Sequence, residues 1–217
     1  MTPRKKGAET LTRERIVEAA MAVIDAEGLE ALSMRRLGTE LGVNPMAAYH
    51  YVPNKSALYD LVLDAVMCAM DLDTIDASAP LETQMKQAAR AYRAAILAHP
   101  NAIPVVAGRS VRTAVSLRPV ERFLGLMLSA GLSELDAVMA VDGMAHYVLG
   151  GAMGFYHHHV DSEIGGGERD FEPLPAEEFP NMNRVLAAAE CVGHDAEFEF
   201  GLDAIIRGLL SRPRDEA

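Results

Sequence analysis

The stretch at residues 33–59, SMRRLGTELGVNPMAAYHYVPNKSALY, constrains this chain more than any other. Ser33 has the side chain of a helix N-cap, and Leu37 and Leu41 then fall four residues apart on one helical face. Gly42 supplies the stop, because glycine enters the left-handed conformation without a steric cost. Asn44 caps a second helix, and Pro45 takes its first position, where a missing N–H does no harm. That helix is short and ends near Tyr51, ahead of Pro53. Two short helices joined by a tight glycine turn make a helix-turn-helix, whose second member enters a major groove of double-stranded DNA by its N-terminal end.

The flanks extend the motif into an all-α chain. Residues 12–27 read as an amphipathic helix with Ile16, Ala19, Ala20, Val23 and Ile24 on one side and Gly28 as its terminator. Asn54 caps a helix over 54–71, where Leu58, Leu61, Val62, Ala65, Val66, Ala69 and Met70 recur at helical spacing. Residues 71–80 are a loop, followed by helices at about 81–98, 103–108 and 117–130. Ser133 caps a long apolar helix reaching about residue 159. Glycine inside a helix costs about 1 kcal/mol, so Gly143, Gly150, Gly151 and Gly154 need a reason. Close approach of a second copy in a four-helix homodimer interface supplies one. Residues 161–180 are rich in Gly, Pro and Glu and read as a long mobile loop. Helices at about 182–191 and 195–211 close the chain, the last presenting Phe198, Leu202, Ile205, Ile206 and Leu209 as the second half of that interface. The division expected is a disordered basic tail at 1–11, a helix-turn-helix head at 12–60, and an effector-binding and dimerisation body at 61–217. The tail reads either as disordered or as a basic arm that reinforces phosphate or minor-groove contact.

A net charge of −11 argues against DNA binding until it is divided. Residues 1–60 hold eight Lys/Arg against eight Asp/Glu, and the remainder holds twelve against twenty-three. Arg4, Lys5, Lys6, Arg13, Arg35, Arg36 and Lys55 thus concentrate in the N-terminal part, while an acidic body is expected to stay away from phosphate. No apolar run reaches membrane-spanning length and no signal peptide opens the chain, so a cytoplasmic protein without a membrane partner is expected. Cys68 and Cys191 read as reduced core thiols, with a disulfide between them as the alternative.

With these residues in view, the chain resembles the tetracycline-repressor (TetR) family of bacterial transcriptional regulators. The likeness rests on Ile16, Ala20, Gly28 and Leu32, on Arg35-Arg36-Leu37, on Leu41-Gly42-Val43, and above all on Tyr49-His50-Tyr51-Val52-Pro53-Asn54-Lys55. It is sharp over residues 12–61 and looser beyond, although Phe198 to Leu209 is similar to the last helix of the tetracycline-repressor branch. The resemblance implies a repressor that binds a palindromic operator as a homodimer and is released by a small-molecule effector.

Side chains at the head sort by role. Asn44, Pro45, Met46 and Ala47 open the recognition helix and face base edges, with Asn44 either reading a base or serving as the cap. The resemblance places Arg35 at a base-contacting position, next to Met34. Tyr49, Tyr51, Lys55 and the Ser33 hydroxyl suit phosphate; His50 suits phosphate or packing, and one of the two tyrosines is expected to pack instead. By position relative to the family, the effector wall comprises Met67, Asp71, Tyr92, Ile103, Val106, Phe123, Met127, Val138, Val141 and His146. It is mostly apolar, the usual character of a small-molecule site. Val106 stands where the family has its metal-binding histidine, Gly154 where it has a glutamate, and Asp71 where it has a histidine meeting the drug. No metal, no cofactor and no magnesium–tetracycline are therefore expected, and the effector reads as uncharged or weakly polar, and as multi-ring or hydrophobic.

Two other signals carry less. His157, His158 and His159 point about 100° apart along a helix and cannot converge on one ion. Asp142 and His146 lie four apart and form a surface couple or a buried pair in a ligand pocket. The competing class, a helical enzyme or metal-binding protein with a coincidental helix-turn-helix, lacks any recognisable nucleophile or phosphate-loop motif.

Overall fold

A computed structural model describes residues 11–163, 174–189 and 192–212, without the side chains of 157–163 and 187–189. The basic tail (Leu11 excepted), Cys191, residues 164–173 of the segment at 161–180 and the side chains of His157, His158 and His159 lie outside the described residues. Among the described residues there are ten α-helices and no strand: α1 Arg13–Glu27, α2 Met34–Glu40, α3 Pro45–Tyr49, α4 Lys55–Cys68, α5 Leu81–Leu97, α6 Ile103–Gly108, α7 Ala114–Ser129, α8 Glu134–Glu163, α9 Pro180–Ala189 and α10 His194–Leu210. They form two compact units, one of residues 1–71 together with 94–119, the other of residues 72–93 together with 120–217.

In the first unit α1, α2, α3 and α4 each begin where a side chain satisfies orphan N–H groups. The Arg15 N–H donates to Thr12 Oγ1, the Arg36 N–H to Ser33 Oγ, the Met46 N–H to Asn44 Oδ1 and the Ala57 N–H to Asn54 Oδ1. Gly42, at φ 65°, turns the chain between α2 and α3. Gly38 lets the two helices approach, since a Cβ there would lie 3.0 Å from Pro45 Cγ and 3.1 Å from its Cα. Ile16, Ala20, Ile24, Leu32, Leu37, Ala48, Leu58 and Val62 are fully buried and form the core beneath these helices.

Several boundaries differ from expectation, among them α8, which runs to Glu163 into the segment expected to be a loop, and α9, which already begins at Pro180. α3 stops at Tyr49 because the Tyr51 and Val52 N–H groups both donate to the Ala48 carbonyl, at 3.0 and 2.9 Å, which closes the turn. α4 stops at Cys68, where Ala69 is the C-cap. α7 begins at Ala114 because Thr113 caps it, the Ser116 N–H donating to Thr113 Oγ1 at 3.1 Å. Cys68 is exposed at the end of α4 and is no core thiol; its neighbours Val66 and Met67 face inward and it does not.

α6 and the turn before it pack in the first unit against α1 and α4. Asn101 Nδ2 donates to the Ile24 and Asp25 carbonyls at 3.2 and 3.3 Å, which satisfies the last turn of α1. His99 Nδ1 meets the Asp25 carboxylate at 2.9 Å.

The second unit is built on α8 and α10. The Asp136 N–H donates to Ser133 Oγ at 3.1 Å, as the N-cap expected for α8. Ala137, Ala140, Met144, Val148 and Ala152 form the inward face of α8, and Phe198, Leu202 and Ile206 form that of α10. This corrects the expected dimer face: Phe198, Leu202 and Ile206 are 5%, 0% and 0% exposed in a single chain, so their stripe is spent within the chain and is not free for a partner. Tyr147 joins the two helices. Its ring stacks on Phe198 at 5.6 Å between centroids, and its hydroxyl donates to the Phe198 carbonyl at 2.7 Å. α5 holds α10 through three cations facing three acids in antiparallel order: Lys86 with Asp203, Arg90 with Glu199 and Arg93 with Asp195, at 2.7, 2.7 and 2.8 Å.

Candidate nucleic-acid interface and effector wall

The recognition helix α3 is held from beneath by Ala48, which is fully buried, and by Val52, 1% exposed. What it and the turn after it leave outward is apolar and aromatic: Met46 is 67% exposed, Tyr49 41% and Tyr51, in the turn, 46%. Large side chains left in water on so short a helix mark a surface meant for contact. Asn44 spends its Oδ1 on the cap, which leaves its amide N–H groups as the donors it can offer. Pro45 and Ala47 are half-buried, and His50 is exposed. Ser33 Oγ accepts the capping bond of α2, so its O–H is what remains to donate outward.

Arg35 is exposed and makes no ion pair among the described residues. Its neighbour Arg36 is fully engaged. Its Nε donates to Glu27 at 2.9 Å and its NH1 to Glu40 at 2.9 Å, and the bonds to Glu27 hold that carboxyl below its ordinary range. Arg36 therefore ties α2 to α1 and is not available to DNA. Met34 is a correction: at 8% exposed it packs inside the head and leaves the DNA-facing set. Lys55 is exposed at the first position of α4, with Nζ 5.3 Å from the centre of the Tyr59 ring.

The residues expected to line an effector wall divide between the two units. In the first, Met67, Ile103 and Val106 are buried and Asp71 is exposed. In the second, Phe123, Met127 and Val141 are buried, and Tyr92 is half-buried with its phenol pushed above its ordinary range by burial. Val138 and His146 are exposed, so within one chain they enclose nothing. No hydrogen bond joins Asp142 to His146, and both are exposed.

His146 lines instead an open groove of about 580 Å³ in the second unit. Gly150, Gly151 and Gly154 form its floor, and Arg93, Tyr147, Phe198 and Phe200 stand around it. Nothing lies within 4 Å of where a Cβ would stand on Gly150 or Gly154, and Phe200 at the rim is 78% exposed. Sequence reasoning identifies the glycine face but misses Phe200, Gly38 and Glu27. Phe200 has a signal, because its step along α10 sets it apart from the buried Phe198, Leu202 and Ile206.

The sequence profile of bacterial regulatory proteins of the tetR family matches residues 16–62, and that of the tetracyclin repressor-like C-terminal domain matches residues 77–212. The chain belongs to the TetR family. The first match begins within α1, contains α2 and α3 entire and ends within α4, so it covers the head described above. Among TetR-family relatives, the HTH-type transcriptional repressor DrrR1 of Streptomyces coeruleorubidus is 33% identical, over 95% of this chain and 80% of its own length. The class A tetracycline repressor from transposon 1721 of Escherichia coli is 27% identical, over 91% of this chain and 89% of its own. The apo structure of ActR from Streptomyces coelicolor superposes with a TM-score of 0.80 at 32% identity, covering 93% of this chain and 95% of that one. ActR has also been solved in complex with actinorhodin and with (S)-DNPA. Like these regulators, this TetR-family chain is a transcriptional regulator with a DNA-binding helix-turn-helix; no helix among its described residues is long and apolar enough to cross a membrane.

Proposed function

We propose that this chain is a repressor that binds a palindromic operator as a homodimer and leaves it when a weakly polar, multi-ring effector binds the body. The observation that carries the reading is the outward face of α3 and the start of α4. Met46 and Tyr49 stand exposed on α3, whose Ala48 is buried, Tyr51 in the turn after it and Lys55 at the start of α4. Arg35 and the Asn44 amide read bases, while Tyr49, Tyr51, Lys55 and the Ser33 hydroxyl hold phosphates.

The dimer uses the outward stripe of α8, where Leu135, Met139, Gly143, His146, Gly150 and Gly154 recur at steps of three and four. Phe200, Ala204 and Gly208 form the matching stripe of α10. One stripe carries a hole and the other a knob, so a two-fold axis seats each Phe200 on the partner's glycine floor.

The effector set is, in the first unit, Met67, Ile103 and Val106 with Asp71, and, in the second, Tyr92, Phe123, Met127 and Val141. Magnesium–tetracycline does not fit it: Val106 is a buried hydrocarbon and Gly154 has no side chain, so neither supplies a donor to a hard cation. The ActR complexes, with actinorhodin and with (S)-DNPA, support a ligand other than tetracycline.

The test is footprinting of the DNA that flanks the protein's own coding region, followed by addition of candidate effectors, beginning with actinorhodin and (S)-DNPA. A protected palindrome, released by a compound of this kind, is the expected result. Absence of any protected site, or release by magnesium–tetracycline, overturns the reading.

A further inference from the structure

The polar side of α4 is held by the segment that succeeds α6. Ser56, Asp60 and Asp64 recur at four-residue steps along one stripe of α4. Arg109, the C-cap residue of α6, donates from Nε to Asp60 Oδ1 at 2.8 Å and from NH2 to Ser56 Oγ at 2.9 Å. Thr113 Oγ1 donates to Asp64 Oδ1 at 2.6 Å. The Arg109 guanidinium also lies 6.0 Å from the centre of the Tyr59 ring, the ring that Lys55 approaches at 5.3 Å.

Asp60 is five residues from Lys55, at the end of α4 that meets phosphate in the proposed reading, and its side chain is 46% exposed. A carboxylate so placed repels phosphate across water unless a cation offsets it. Burial does not explain the Arg109–Asp60 pair, since a half-exposed ion pair adds little stability. Its consequence for charge is larger, because it removes an acid from a surface that must attract anions.

We propose that Arg109 is a positioning residue for DNA binding: by pairing with Asp60 beside the Tyr59–Lys55 contact, it neutralises the acid on the polar stripe nearest the phosphate-binding end of α4. Because Arg109 caps α6, the pairing follows the position of α6, whose Ile103 and Val106 belong to the proposed effector wall. The inference rests on the DNA-binding reading above.

Arg109 acts without regard to sequence, so the probe is a labelled duplex of random sequence, about 30 base pairs long, titrated with the full-length protein at low and moderate salt. Arg109→Gln should weaken binding about fivefold at low salt, and the deficit should shrink as screening rises. Adding Asp60→Asn to Arg109→Gln should restore affinity to within about twofold, because the uncompensated acid is then gone. Asp60→Asn alone should bind as tightly as the wild type or more tightly, and Arg109→Lys should retain most of the affinity. The Asp60→Asn result decides the matter even if Arg109→Gln does not fold. A purely structural staple predicts that Asp60→Asn weakens binding and that the double variant is no better than Arg109→Gln; either outcome overturns the proposal. Wild-type protein that fails to bind the duplex would instead overturn the DNA-binding reading itself.

Discussion

Gly201→Ala should destabilise this protein, although alanine is the better helix former. In an open helical position the change gains about 1 kcal/mol. At Gly201 a Cβ would meet the Tyr147 hydroxyl in hard contact, and would lie 2.7 Å from Tyr147 Cζ and 2.9 Å from Cε2. Tyr147 must then swing away. That breaks its 2.7 Å hydrogen bond to the Phe198 carbonyl and disturbs the stack on Phe198. The lost bond costs about 1 kcal/mol, the disturbed stack about 0.5–1.5 kcal/mol, and the repacking about 1 kcal/mol. Set against the propensity gain, the net loss is about 1.5–2.5 kcal/mol. Urea unfolding at fixed protein concentration measures it. Tyr147→Phe removes the hardest contact but leaves Cζ and Cε2 in place, so in that background Gly201→Ala should cost about 1 kcal/mol less. A stabilised Gly201→Ala variant, or one equally costly with and without the hydroxyl, would refute the reasoning.

Phe200→Ala and Gly150→Leu should each shift the sedimenting species from dimer to monomer, the first by removing a knob and the second by filling a hole, while Ala204→Ser changes little. Val106→Phe should block effector release and leave operator affinity within about threefold, since it fills the proposed wall and lies outside the head's DNA face; loss of both together would place Val106 in the folding core alone. Stability should fall as pH drops through the acid range. Hydrogen bonds from Arg90 and from Lys86 hold the Glu199 and Asp203 carboxyls below their ordinary values. Their contribution is present above those ordinary values and is lost as pH falls through the depressed ones. Glu199→Gln should flatten that acid limb in a pH series of thermal melts.

What is legible in the sequence is what local chemistry decides. Ser33, Asn44, Asn54 and Ser133 each announce a helix start, because capping needs only the residues next door; Thr12 caps α1 in the same way, though its sequence context does not single it out. Gly42 is legible for the same reason. Gly38 is not, because its reason is Pro45, reached only after the turn is made. The apolar stripe of α10 is visible, but a stripe records only that it is buried, not against what; Phe198, Leu202 and Ile206 cover α8 of their own chain. Cys68 reads as a core residue because it comes after two buried ones, and one further step of about 100° carries its side chain out of the core. The partners of Asp25 and Asp60 lie 74 and 49 residues away, where no periodicity reaches.

Those long-range partners also bear on how an N-terminal part of zero net charge, tail and head together, can attract DNA. The eight acids of residues 1–60 match their eight bases in number, yet the structure pairs them unequally. Glu27 and Glu40 are both occupied by Arg36, Asp25 by His99 and Asp60 by Arg109. Two of these partners, His99 and Arg109, come from beyond the head's own sequence. The head therefore commits one of its bases to two acids and borrows partners for two more. Arg35 is left exposed without an ion pair among the described residues, and Lys55 lies over the Tyr59 ring. Counterion release depends on the cations that meet phosphate, not on the sum over a domain. A domain that is neutral by count can thus present a basic face, provided that its acids are paired away from that face. The packing of 94–119 against α1 and α4 supplies two of these pairings, those of Asp25 and Asp60. On the reading proposed for Arg109, a displacement of α6 would therefore alter DNA affinity through electrostatics even where the recognition helices kept their spacing.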